Sequence, residues 1–195
     1  MPQTRNQQYF PGSNTAVGFY SFWASNLDEL PKLLILKGGP GTGKSTLLAG
    51  LVREFTARGE AAELLWCSSD AESLDGVVFR EAGIGIVDGT APHVRDPRYP
   101  GIVDSIINLG DCWDETLLAE SKDEIIKYTD QNRELFRQTY TLLAEAKKCH
   151  DYAKQLCQKG MDRAAAAKMT AAFLRKTFAG CPERRGGWEY HRFLG

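Results

Sequence analysis

The apolar positions of this chain follow two different patterns. In the first half they come as short unbroken runs: Leu33 to Leu36, Ala62 to Cys67, Val77 to Phe79, and Gly83 to Val87. Runs of this length, closed off by glycine or polar residues, predict strands buried on both faces. Between the first two, Lys44 to Arg58 changes period. Leu47, Leu48, Leu51, Val52 and Phe55 fall on one helical face, and Gly59 stands where a left-handed C-terminal cap belongs. Upstream, Ser25 to Glu29 predicts a short helix capped by Asn26, with Glu29 reaching back three residues later and Pro31 ending it. Strand, helix, strand, strand predicts an α/β fold with a three-layer parallel sheet. Only three or four strands are legible where about five are expected, so the sheet reads as incomplete.

From about Asp114 the pattern changes. The chain is charged and free of glycine and proline up to Gln158. Tyr128, Leu135, Leu142, Cys149 and Leu156 recur every seven residues, beside a second row of Ile125, Asn132, Thr139, Ala146 and Ala153. This predicts a long helix with a heptad-like seam, small enough at its centre for a partner helix to approach closely. Lys159-Gly160 predicts a turn, Met161 to Ala179 a returning helix, and Gly180-Cys181-Pro182 its end. The expectation is an inserted α-helical hairpin that projects from the core or covers it. Residues 1–112 then form the α/β core, 113–180 the hairpin, and 181–195 a return segment.

Composition narrows the function classes. The 195 residues carry 24 basic and 25 acidic side chains, a net charge of -1. That argues against nucleic acid as the main partner, and the lysines and arginines of the hairpin are interleaved with Asp and Glu. Five scattered cysteines with three histidines match no zinc spacing and predict reduced thiols in a cytoplasmic protein. No apolar run is long enough to span a membrane, which excludes a membrane-embedded role.

The chemistry is carried by Gly38-Gly39-Pro40-Gly41-Thr42-Gly43-Lys44-Ser45. This G-x-x-x-x-G-K-[ST] pattern follows a buried strand and opens an amphipathic helix, the context its mechanism requires. Gly39, Pro40, Gly41, Thr42 and Gly43 are predicted to turn the backbone so that successive N–H groups face a polyphosphate, at a helix N-terminus. Lys44 would reach the β- and γ-phosphates, Ser45 would ligate Mg²⁺, and Thr46 would touch the α-phosphate. The cofactors predicted are ATP and Mg²⁺; adenine is preferred because no guanine-reading N-K-x-D-type motif is present. Asp88 ends an apolar strand and is the predicted acidic partner on the metal side. The next residues are Gly89-Thr90, so the glutamate that many such ATPases place there to activate water is absent.

Two loops could supply the missing chemistry. Asp70, in the loop after Ala62 to Cys67, is the candidate base. His93, in the loop after Asp88, could orient water or phosphate, and Arg95 or Arg98 could stabilise transferred charge. Arg184 and Arg185 are a further candidate phosphate clamp.

The runs Leu36 to Ser45, Trp66 to Asp70, Ser73 to Val77 and Gly85 to His93 resemble an uncharacterised bacterial family of P-loop ATPases or nucleotide-kinase-like proteins. Members of that family are similar to two P-loop halves in tandem, and this chain resembles the first half with its helical insertion. The resemblance implies nucleotide binding and a second P-loop half, or a protein partner, meeting the helical hairpin. It names no substrate. Three expectations follow: an ATPase, a small-molecule or nucleotide kinase, or a nucleotide-dependent switch with little turnover.

Overall fold

The computed structural model describes residues 6–181. The chain opens with β1 (Gln7–Tyr9) and a small antiparallel ribbon, β2 (Gly12–Thr15) and β3 (Gly18–Ser21), followed by α1 (Trp23–Leu27). Then come β4 (Lys32–Lys37), α2 (Lys44–Ala57), β5 (Glu63–Trp66), β6 (Leu74–Phe79), β7 (Ile84–Asp88) and β8 (Asp104–Asn108). A 3-10 turn (Leu109–Cys112) leads into α3 (Glu115–Glu120), α4 (Lys122–Lys159) and α5 (Arg163–Thr177).

The main sheet has six strands in the order β1-β5-β6-β7-β4-β8. Alternation along each strand divides its side chains between two cores. Leu33, Ile35, Leu65, Val78 and Val87 pack with Trp23, Leu27 and Leu30 on one face. Leu36, Leu64, Val77, Phe79 and Ile86 pack with Leu48 of α2 on the other. Coverage of both faces explains why these strands read as continuous apolar runs. The α2 stripe follows the expected face except at its edge, where Leu47 is exposed. Gly59 has φ 89°, as its place after the helix requires.

Three expectations are corrected here. The sheet is mixed, not parallel: β6 runs antiparallel to both β5 and β7. Its connections are residues 67–73 and 80–83, and a parallel crossover needs a dozen or more residues, so chain length alone forces the reversal. The sheet is also not short of strands, because β1 and β8 add parallel edges to β5 and β4. Finally, Asn26 does not cap its helix. The helix begins three residues earlier, Asn26 is buried within it, and its Nδ2 donates to Phe22 O at 2.9 Å.

The long helix is present, 38 residues from Lys122 to Lys159, or roughly 57 Å at the α-helical rise. Its heptad seam is not closed by α5: Leu135 and Leu142 remain 60% and 69% exposed, and no residue of α3, α4 or α5 is buried. The face that does turn inward is Phe136, Tyr140, Leu143 and Ala144, one step round the helix from the seam. It meets β2, where Tyr140 Oη donates to Asn14 Oδ1 at 2.8 Å. α4 therefore stands out as an exposed arm that meets the β2–β3 ribbon, and α5, which follows it in the chain, is exposed as well. Among the described residues, no helix is long and apolar enough to cross a membrane.

Candidate functional site

β4 delivers Lys37 to the edge of the sheet, and the chain then turns through Gly38 to Gly43 before α2 starts at Lys44. Gly41 and Gly43 have φ 81° and 82°, a left-handed backbone that side-chain-bearing residues rarely adopt. Thr42 Oγ1 donates to Gly39 O at 2.9 Å and braces the turn. Lys44 Nζ donates to Gly38 O (2.6 Å) and Gly39 O (2.9 Å), and lies 3.5 Å from Asp88 Oδ2. Ser45 Oγ accepts from Leu74 N at 2.9 Å. A cavity of about 300 Å³ is lined by Gly41 to Thr46, Ser73, Leu74 and Asp88. Of the eight residues expected to hold a nucleotide, Gly39 and Pro40 lie outside it; they border a second, larger groove instead.

The chain matches no family model, no curated protein and no solved structure. Its site must therefore be read from its own geometry.

Asp88 stands at the end of β7, where its Oδ1 accepts from Thr90 N (2.8 Å) and Thr90 Oγ1 (2.5 Å). The residue after it has no room for a side chain. A Cβ on Gly89 would lie 2.4 Å from Ile35 Cγ2 and 2.9 Å from Arg95 O, so the absent glutamate is sterically excluded. Lys37 Nζ holds the following loop close, donating to Gly89 O, Arg95 O and Asp96 Oδ1.

The structure separates the other candidates. His93 joins the site: its side chain is 4% exposed, its ring stacks on Trp23 at 5.4 Å, and its Nδ1 lies 3.6 Å from Asp75 Oδ2. Neither ring nitrogen has a hydrogen-bond partner. Arg95 and Arg98 do not face the cavity; both guanidinium groups are bound by the carboxylate of Asp28. Asp70 is exposed and accepts from Glu72 N at 3.2 Å, the local turn chemistry of its type. Arg184 and Arg185 lie outside the described residues.

The further carboxylate that stands beside Asp88 is Asp75. The pairing of Gly76 with Val87 across β6 and β7 sets Asp75 beside Asp88 at the glycine-loop edge of the sheet. Asp75, Asp88 and His93 present ligand atoms all within 4.8 Å of one another. Burial pushes the Asp75 carboxyl above its ordinary range; His93 pulls it down and Asp88 adds to the rise. Burial also raises the Cys67 thiol, with the Asp75 charge contributing, so Cys67 is held as a neutral thiol. The overlooked signal was the length of the 67–73 and 80–83 connections. Read as a hairpin strand, β6 begins at the same edge where β4 and β7 end.

Beside this site, a groove of about 1120 Å³ runs along the start of the arm. Trp113, Leu118, Ile125, Ile126 and Tyr128 line it, with Gly39 and Pro40 at its border. A Cβ on Gly39 would lie 2.9 Å from the Trp113 ring, so this glycine lets the indole close against the loop.

Proposed function

We propose that this chain binds a Mg²⁺–nucleoside triphosphate, ATP in the first instance, and hydrolyses it or transfers its γ-phosphate. The observation that carries this reading is the convergence of Lys44, Ser45 and Asp88 on one small cavity behind a left-handed glycine turn. Backbone N–H groups and the α2 N-terminus suit a polyphosphate there. Lys44 is tethered by two carbonyls and a carboxylate, and phosphate oxygens would draw it away. The Ser45 hydroxyl has a second lone pair beyond the one facing Leu74 N, and Asp88 offers Oδ2 on the same side as Lys44. Charge neutralisation by Lys44 and Mg²⁺, together with positioning, would then supply the catalysis.

Within this reading the apolar groove bordering Gly39 and Pro40 is the natural place for an acceptor, which favours the kinase branch. Phosphate release measured with and without small-molecule and nucleoside acceptors separates the branches. Release that no acceptor alters rejects the kinase.

The switch reading rests on a different observation: Gly89 excludes a glutamate after Asp88, and Asp28 holds both nearby arginines. It expects nucleotide to alter proteolysis of the exposed arm while turnover stays near zero. The common test is calorimetric titration with Mg²⁺–ATP. Lys44→Ala is expected to weaken binding at least tenfold, the scale of a lost charge-assisted contact. Equal affinity in wild type and variant would overturn nucleotide binding at this loop.

A further inference from the structure

We infer that His93, Asp75 and Asp88 form a second cation site, selective for a divalent ion of the Zn²⁺, Mn²⁺ or Co²⁺ kind. It shares only Asp88 with the Mg²⁺ position proposed above, and it does not depend on nucleotide.

The geometry comes first. His93 Nδ1 and Asp75 Oδ2 are 3.6 Å apart, longer than the roughly 2.7–3.2 Å of a hydrogen bond between such atoms. Two ligands on one tetrahedral ion with bonds of roughly 2.0–2.2 Å stand about 3.3–3.6 Å from each other. The observed gap matches the spacing of two ligands on one ion. The third ligand atom, on Asp88, lies within 4.8 Å of the other two.

The second observation is the histidine itself. Its side chain is 96% buried by its 4% exposure, and both nitrogens lack partners. A buried imidazole in a folded core ordinarily satisfies at least one nitrogen, because a buried polar atom left bare loses its hydration without compensation. Stacking on Trp23 and the nearby Phe19 ring fix the plane of the imidazole but offer its nitrogens nothing.

Charge is the third. Asp88 pairs with Lys44, whose Nζ lies 3.5 Å away and is also taken by Gly38 O and Gly39 O, while among the described residues no lysine or arginine pairs with Asp75. A divalent ion at His93 would balance the second carboxylate. One imidazole with two carboxylates is a donor set that suits the later first-row ions, while Mg²⁺ prefers oxygen alone.

The test uses the full chain, freed of metal with a chelator and without nucleotide. Co²⁺ is titrated while visible absorption and thermal stability are followed. One saturable Co²⁺ per chain is expected, raising the melting temperature. His93→Ala, and the nearly isosteric Asp75→Asn that preserves shape, should each weaken it at least tenfold, matching or exceeding the loss of a ligand's supporting partner. Ser45→Ala should leave Co²⁺ binding intact. The proposal is overturned by an absence of saturable binding, or by binding that both variants leave unchanged, as ligation by Cys149 and His150 on the exposed arm would be. It is equally overturned if Ser45→Ala alone abolishes binding, which would put the ion at the nucleotide's Mg²⁺ position. Mg²⁺–ATP titration of the same preparations reports separately on the nucleotide reading.

Discussion

The glycine-loop edge and the α4–α5 arm both announce themselves in the sequence, yet the fold treats them in opposite ways. At the edge, every element has a buried neighbour: β4 lies between β7 and β8, and α2 lays Leu48 on the sheet. In the arm, a 38-residue helix keeps its most regular apolar row in solvent and touches the core through a different face. Periodicity specifies which residues share a face. What covers that face is decided by tertiary distance, and that is not written in the repeat.

The contrast can be tested by mutation. Phe79 is fully buried and stacks on Phe55 at 4.1 Å, so Phe79→Ala should cost about 3–5 kcal/mol in chemical unfolding. Gly89→Ala should cost about 1–3 kcal/mol, because its Cβ meets Ile35 and the Arg95 carbonyl. If Gly89→Ala were neutral, the steric account of the missing glutamate would be wrong. Tyr140→Phe removes the Asn14 hydrogen bond and should cost about 0.5–1.5 kcal/mol, read best as faster amide exchange in β2 and the middle of α4. Leu142→Ala, in the exposed seam, should stay within about 0.5 kcal/mol. A cost near that of Phe79→Ala would mean that the seam is covered in solution.

Acidity distinguishes the two regions as well. Asp75 titrates above its ordinary range in the folded chain because it is buried, so the folded state favours its protonated form. Its contribution to stability is fully present below the unfolded value and is lost as pH rises through the folded one. Asp75→Asn should therefore stabilise the metal-free chain at neutral pH and lose that advantage in acid, as measured by unfolding across pH. Glu134 on the arm moves the other way, lowered to about 2 by hydrogen bonds from Arg137 and Gln138. It is fully exposed, so Glu134→Gln should change little at any pH.

Much of the core was legible. Leu33 to Leu36 and Ile84 to Asp88 have the short apolar runs of covered strands, and the glycine–lysine–serine turn lies between a strand and a helix as expected. The edge strands were not legible, for a physical reason. Gln7–Tyr9 has no apolar run to show, and Asp104–Asn108 leaves Ile106 half exposed, because an edge strand needs to hide less. Strand direction was legible only from connection length, and missing it hid Asp75. His93 was visible as a residue type, but its burial against Trp23 was not, since the two are distant in sequence. Arg95 shows the converse: it follows Asp88 closely in sequence, yet its guanidinium is bound by Asp28, 67 residues away.

The hydrogen bond from Leu74 N to Ser45 Oγ has a practical use. It couples the first turn of α2 to the residue just before Asp75, so a single amide proton stands between the glycine loop and the acidic pair. That proton is an intrinsic probe. Under the two proposals above, its chemical shift and exchange rate should respond both to a ligand drawing on Ser45 and to an ion drawing on Asp75. One nuclear resonance can then record the occupancy of either position without any label at the site.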